Sequence, residues 1–142
     1  MSLNNISNVN GNSTPSQIIT KLLWRQQQEL VTKYPDCVKI IINHEDPLDI
    51  QADINGPKET PYEGGTFRVK LIVSSDFPLS APKGIFMTKI YHPNVSEKGE
   101  ICVNTLKKDW NPKGWSLYNV FEVKIFKLIS LSFFTYRLLN AS

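Results

Sequence analysis

The apolar residues of this chain first recur at the spacing of a helix and then at every second residue. This change in period limits the folds that the chain can adopt. Thr14 and Gln17 form a capping-box pattern around Pro15, which is typical of a helix start. Apolar residues then recur at helical spacing, at Ile19, Leu22, Leu23 and Leu30. The pattern predicts one amino-terminal helix that ends before Pro35.

After Pro35, four short segments have the alternating or β-branched pattern of strands. They are Val38 to Ile42, Ile50 to Asn55, Thr66 to Val73 and Gly84 to Met87. Turn residues separate them, and such short connections favour antiparallel neighbours. The sequence therefore predicts an α+β fold in which the helix packs on one face of a four-stranded antiparallel meander and the other face meets water.

Composition and charge argue against several classes of protein. The chain has 142 residues, 41% hydrophobic and 20% charged, which suits one folded domain. The net charge is only +3 and there is no long basic run, so we expect no nucleic-acid partner. The apolar stretch 125–139 is interrupted by Lys127 and Arg137, and the amino terminus does not resemble a signal peptide, so we expect no membrane association. Two cysteines favour free thiols and a cytoplasmic or nuclear location.

Periodicity fails from Lys89 to Trp115, in a segment rich in Pro, Asn, Gly and Lys. A long irregular stretch within a compact domain is often functional. Apolar residues within it predict that it is an ordered loop: Ile101, Val103, Leu106 and Trp110.

Cys102 is the strongest candidate for chemistry in this loop. A thiol attacks as the thiolate, and an unperturbed cysteine is only about 3% ionised at neutral pH. Lys107 and Lys108 would raise the local positive potential. A buried structural cysteine is the commoner use of such a residue and is the alternative interpretation.

Asn94 and the histidines are the other candidates in the sequence. The Asn94 carboxamide can donate to an oxyanion, although His92-Pro93-Asn94 is also a common turn sequence. A Cys–His protease that uses His92 or His44 is disfavoured because the chain is short for one. A zinc site built from both cysteines and both histidines lacks the close pair spacing of structural zinc sites, so we predict no metal.

Several motifs, in this order and spacing, resemble the ubiquitin-conjugating enzyme family. They cover the segment from about Thr14 to Val123. The motifs are Gly56-Pro57 with Thr60-Pro61-Tyr62-Glu63-Gly64-Gly65-Thr66-Phe67, Asp76-Phe77-Pro78 through Pro82-Lys83-Gly84, His92-Pro93-Asn94-Val95, Gly99-Glu100-Ile101-Cys102-Val103-Asn104 and Trp110-Asn111-Pro112. The resemblance implies the fold predicted above, with further helices after the sheet.

The resemblance also implies the chemistry. Cys102 would take ubiquitin as a thioester from an activating enzyme and pass it to a lysine of a protein substrate or of ubiquitin, with a ligase. Asn94 would support the oxyanion, while His92, with Pro93 and Asn104 in the same active-site loop, would order that loop rather than act as a base. No cofactor is held, since ATP is used upstream by the activating enzyme. Residues expected to contact the activating enzyme or a ligase are Lys21, Arg25, Leu79, Asn111, Pro112 and Lys113.

Position 104 departs from the family pattern. Many relatives carry acidic residues beside the cysteine, whereas this chain has Asn104. An acceptor lysine is neutral in only about one molecule in 2,500 at pH 7, so some carboxylate or desolvation must help to deprotonate it. We hypothesise that the acceptor, such as a second ubiquitin, supplies the missing acid.

The carboxy-terminal end also departs from the family, which continues through a proline-bearing loop into two more helices. Residues 124–142 contain no acidic residue, three Phe and one Tyr. We therefore expect a flexible Asn/Ser-rich tail (1–13), a core domain (14–123) and a divergent hydrophobic tail (124–142) that truncates the fold. A retained intron or splice product and a divergent natural helix are both open as its origin. A non-catalytic or truncated isoform that only binds partners is the alternative function.

Overall fold

A computed structural model describes residues 14–33 and 37–130. The predicted amino-terminal tail and the last twelve residues of the predicted hydrophobic tail lie outside this part of the chain. The first helix, α1, spans Pro15–Lys33. The Gln17 backbone N–H donates to Thr14 Oγ1 at 3.3 Å, and the Thr14 N–H donates to Gln17 Oε1 at 2.9 Å. These two bonds confirm the capping box.

The strands form one antiparallel sheet in the order β1-β2-β3-β4, which confirms the predicted meander. Their bounds are β1 Val38–Ile42, β2 Ile50–Asn55, β3 Thr66–Ile72 and β4 Lys83–Phe86. A row of paired residues crosses the inner face of the sheet: Ile40, Ala52, Val69 and Phe86. The last three of these are buried in the core together with Leu23 and Leu30 of α1.

The outer face of the sheet carries polar residues, as the alternation predicts. Asp53 lies opposite Arg68, and Arg68 Nε donates to Asp53 Oδ1 at 2.9 Å. This hydrogen bond lowers the pKa of Asp53. Since Arg68 keeps about half of its side chain exposed, the pair contributes little to stability.

The segment after the sheet is ordered as predicted, but it contains a helix that the sequence pattern did not reveal. The short helix α2 spans Val103–Lys107 and buries Leu106. Ile101 is buried and Trp110 packs against the core, whereas Val103 is 46% exposed. The expectation that Val103 anchors the loop is therefore wrong, because Val103 begins α2 on its solvent side. With one buried residue in five, α2 leaves no helical period in the sequence.

The last described helix combines two geometries. An α-helical turn, α3 (Leu117–Asn119), continues into a π-helical segment (Val120–Phe126), and residues 127–130 are again α-helical. Ile125, Leu128 and Ile129 are buried in the same core as the sheet. Residues 124–130 thus continue the helix, and a domain boundary at Val123 stays a prediction.

Candidate active site

Cys102 and Asn94 lie beside each other at the base of a tight turn. The Cys102 N–H donates to the Asn94 carbonyl at 2.8 Å, and the Ser96 N–H donates to the Glu100 carbonyl at 2.9 Å. Gly99 closes the turn with φ of +87°, and a Cβ there would lie 2.2 Å from the Phe86 carbonyl oxygen. The turn therefore requires glycine, and it brings together two residues that are eight positions apart.

The Cys102 side chain is exposed. It is the N-cap residue of α2, and its side chain makes no capping hydrogen bond. The alternative of a buried structural cysteine is therefore wrong for Cys102. Cys37 is half-buried at the start of β1 and packs against the core, as expected for a residue entering a strand.

His92 holds the loop that carries Asn94. The Asn94 N–H donates to His92 Nδ1 at 3.0 Å, so the proton of the neutral ring belongs on Nε2, which lies 3.1 Å from the Leu128 carbonyl oxygen. Burial lowers the pKa of His92, and the bond to the Leu128 carbonyl opposes that shift in part. The ring also stacks on Tyr62, with centroids 6.2 Å apart.

The histidines are thus engaged elsewhere than at the cysteine sulfur. His92 uses both ring nitrogens on backbone groups. His44 stacks on Trp24 of α1, with centroids 6.3 Å apart. Between residues 14 and 130, gaps excepted, the structure shows neither imidazole hydrogen-bonded to Cys102 and no group of three His, Cys, Asp or Glu residues placed to hold a metal ion. The geometry supports neither a Cys–His protease nor a zinc site.

The residues around the cysteine are solvated. Pro93, Asn94 and Asn104 are exposed, as are Lys107 and Lys108 at the far end of α2. A groove of about 360 Å³ lies between α2 and the segment that leads into β4, lined by residues that include Pro82, Val103 and Leu106. An exposed thiol in an open setting is accessible to a reaction partner as large as a protein.

The predicted partner-contact residues fall on two surfaces. Lys21 and Arg25 are both exposed and lie four residues apart, on one side of α1. Leu79 is 71% exposed at the tip of the loop before β4. Asn111 and Lys113 are exposed in the loop between α2 and α3, with Pro112 half-buried between them.

Trp110 connects the loop that carries Leu79 with the loop that contains Asn111 and Lys113. Its Nε1–H donates to the Pro78 carbonyl at 2.9 Å, and its ring lies 6.2 Å from that of Phe77, centroid to centroid. The structure therefore brings Leu79 and the Asn111–Lys113 loop together as one surface. Sequence reasoning missed this role of Trp110, as it missed Tyr62, whose hydroxyl donates to the Tyr91 carbonyl at 2.6 Å beside His92.

Across the described ranges, no helix is both long and apolar enough to cross a bilayer.

Comparison with known proteins agrees with this arrangement. The family model described as "Ubiquitin-conjugating enzyme" matches residues 22–136. The chain is 57% identical over 103 residues to ubiquitin-conjugating enzyme E2 22 of Arabidopsis thaliana, a match that covers 72% of this chain and 40% of that protein. It is 55% identical over 94 residues to ubiquitin-conjugating enzyme E2 S of Nematostella vectensis, covering 66% and 46%. The chain spans about half the length of the curated relatives it matches.

A solved structure has the same fold. Human ubiquitin-conjugating enzyme E2 G1 superposes with a TM-score of 0.72 at 29% identity, covering 84% of this chain and 98% of that one. Within the family, several segments of the sequence resemble the E2 S subgroup, and the relatives of that name confirm this prediction. The segments are Phe77-Pro78, Pro82-Lys83-Gly84, Thr88-Lys89-Ile90 and Glu100-Ile101-Cys102-Val103-Asn104.

Proposed function

The chain belongs to the ubiquitin-conjugating enzyme family, and from that premise we propose that Cys102 carries ubiquitin as a thioester and passes it to a lysine amine. The observation that supports this most directly is the exposed Cys102 side chain, held beside Asn94 by a 2.8 Å backbone hydrogen bond. His92 supports the same function, because it orders the loop and leaves the sulfur free of an imidazole.

In the first step the Cys102 thiolate attacks the carbonyl carbon of a ubiquitin thioester on the activating enzyme. A C–S bond forms at Cys102 and the C–S bond to the activating enzyme breaks, so that the departing sulfur leaves as a thiolate. The step needs no resident cofactor, and we propose that ATP is consumed only upstream. The exposed position of Cys102 admits a protein as large as the activating enzyme.

In the second step a neutral lysine amine attacks the thioester carbon. The C–N bond forms, the C–S bond breaks, the sulfur leaves as a thiolate, and the amine nitrogen passes its extra proton to a carboxylate or to water. Negative charge develops on the carbonyl oxygen in between, where the Asn94 carboxamide would donate a hydrogen bond.

The second step requires a base that removes the proton of the acceptor lysine. Asn104 is exposed two residues after the cysteine and cannot accept a proton as a carboxylate would. We propose that the acceptor protein supplies a carboxylate that takes this proton. Such a requirement would favour ubiquitin as the acceptor and so the building of ubiquitin chains. Transfer to ubiquitin should then exceed transfer to free lysine at equal concentration, and equal rates would contradict this part of the proposal.

A loading assay tests the main proposal. The chain is mixed with activating enzyme, ATP and ubiquitin and is analysed with and without a thiol reductant. We expect an adduct that the reductant removes and that Cys102→Ala abolishes. Cys37→Ala is the matched control because it removes the other cysteine and should load normally. A folded chain that never loads, or that loads equally as Cys102→Ala, would refute the proposal.

The proposed partners follow from the same chemistry. They are ubiquitin, the activating enzyme, a ligase and protein substrates, and we propose that the protein meets them in the cytoplasm or nucleus. A non-catalytic binding module is the alternative, and the presence of both Cys102 and Asn94 in the family motif disfavours it.

A further inference from the structure

Lys124 occupies a place in the last helix that an apolar residue would normally take. A regular α-helix that buries Leu117 and Phe121 would next bury position 124, two turns after Leu117. The π-helical segment Val120–Phe126 adds a residue to the turn, so Ile125 fills the core with 0% exposure instead. The Lys124 side chain is thereby moved out of the core and stays half-buried at its edge.

The Lys124 ammonium contacts two other parts of the chain. Nζ donates a hydrogen bond to the Lys108 carbonyl oxygen. Lys108 is the C-cap of α2, where backbone carbonyls lack helical partners and lysines commonly bind. Nζ also lies 4.9 Å from the centroid of the Trp115 ring, within the range of a cation–π contact.

Both contacts bear on the candidate active site. Lys108 and Cys102 cap the two ends of α2, with only five helical residues between them, so a shift of the end that Lys124 contacts moves the cysteine as well. The Trp115 ring lies 6.0 Å from that of Trp110, which donates to the Pro78 carbonyl at the base of the Leu79 loop. Lys124 thus stands where α2, the partner-contact loops and the last helix meet.

We propose that Lys124 is a positioning residue for transfer at Cys102. It fixes the far end of α2 and the ring of Trp115, and so holds the cysteine and the neighbouring loop in the orientation that the attacking amine requires. This inference rests on the proposed function. Small displacements at a reacting centre matter, since about 1 Å can cost roughly 100-fold in rate.

The test compares Lys124→Met with Lys124→Arg and with Lys127→Met. Methionine keeps an apolar stem but loses the cation, arginine keeps the cation, and Lys127 is an exposed lysine of the same helix. Each variant is loaded with ubiquitin, the thioester is isolated, and its discharge to free lysine is timed. Discharge to hydroxylamine reports the intrinsic reactivity of the thioester. Amide and indole NMR signals report the positions of residues 102–108 and Trp115.

We expect Lys124→Met to load normally but to discharge to lysine about 10- to 100-fold more slowly, with hydroxylamine discharge unchanged. Lys124→Arg and Lys127→Met should behave as the wild type. Shifts in the NMR signals of residues 102–108 and Trp115 should accompany Lys124→Met alone. Wild-type discharge by Lys124→Met, or an equal loss in Lys127→Met, would overturn the inference.

Two further cases, a variant that does not fold and a chain that does not load, have tests of their own. If circular dichroism shows that Lys124→Met does not fold, Trp115→Leu is used instead, since it removes the cation–π partner. Unchanged discharge to lysine in Trp115→Leu would overturn the inference. If the wild-type chain never loads, the proposed function fails. Unshifted signals for residues 102–108 in folded Lys124→Met would then overturn the positioning role by itself.

Discussion

His92 illustrates how a single side chain depends on its protonation state in this fold. Its Nδ1 accepts a hydrogen bond and its Nε2 faces a carbonyl, so the ring is bound in its neutral form. Burial lowers the pKa of His92 in the folded chain below the value of about 6.5 expected when the chain is unfolded. Protonation would remove the acceptor that orders the Asn94 loop.

The pH dependence of stability should report this residue. Between the folded and unfolded pKa values of His92, the unfolded chain binds more protons, so stability is complete above about pH 6.5 and falls as the pH drops below it. Urea unfolding at pH 7.5, 6.5 and 5.5 should show this decline. His92→Asn should flatten it. An equal slope in His92→Asn would contradict the assignment.

Asn94→Ala tests the proposed oxyanion donor. Loading through Cys102 should persist, because the backbone pairing of residues 94 and 102 does not need the side chain. Discharge to lysine should slow by about 100- to 1,000-fold, the usual cost of one oxyanion donor. Single-turnover discharge measures the rate, and a loss below about threefold would remove Asn94 from the proposed mechanism.

At this scale the sequence predicts some members of the site and not others. The family motifs mark Cys102, Asn94 and His92, because those roles require particular side chains. The partner of His92 Nε2 is a backbone carbonyl at Leu128, and any residue at that position carries the same group. Such a contact leaves no signal in the amino-acid pattern.

Among the elements, the joint between α1 and α3 depends on one buried amide. Gln26 Oε1 accepts a hydrogen bond of 2.9 Å from the Leu117 N–H, across 91 residues of sequence. Leu117 begins α3, and the first N–H groups of a helix have no partner within it. Gln26 therefore supplies the hydrogen-bond acceptor that the first N–H group of α3 lacks within its own helix.

Gln26→Met should destabilise the fold by about 1–3 kcal/mol, because it leaves the buried Leu117 N–H without an acceptor. Gln28→Met makes the same change at an exposed position of α1 and should alter stability by less than about 0.5 kcal/mol. Urea denaturation followed by circular dichroism gives both values. Equal losses of stability in the two variants would mean that the hydrogen bond between Gln26 and Leu117 does not stabilise the fold.

The elements that sequence reasoning predicts are those with a long, regular pattern. Alternation over Ile50–Asn55 and Thr66–Ile72 reveals the strands and their inner faces. The helix α2 is too short to repeat a pattern. The π-helical segment escapes prediction because the sequence shows only a lysine at position 124, and the added residue in the turn is a response of the backbone to packing.

For the whole molecule, the helix after Val123 packs one face on the core, through Ile125, Leu128 and Ile129. Ile125 and Ile129 have no exposed surface. Ile125→Ala should therefore cost about 2–5 kcal/mol in the free energy of unfolding. Val123→Ala, at a position that is 39% exposed, should cost less than about 1 kcal/mol. If both variants lost less than about 1 kcal/mol in the free energy of unfolding, residue 125 would not belong to the part of the chain that unfolds cooperatively.

The strand order β1-β2-β3-β4 has a consequence for how the protein emerges from the ribosome. Every pairing in the sheet joins neighbours along the chain, so the hairpins can form early during synthesis. His92, however, must wait for a carbonyl 36 residues downstream. A nascent chain would thus possess its sheet, and Cys102 as well, before the loop beside Cys102 is locked, so that translation itself delays the moment at which the candidate site is fully formed.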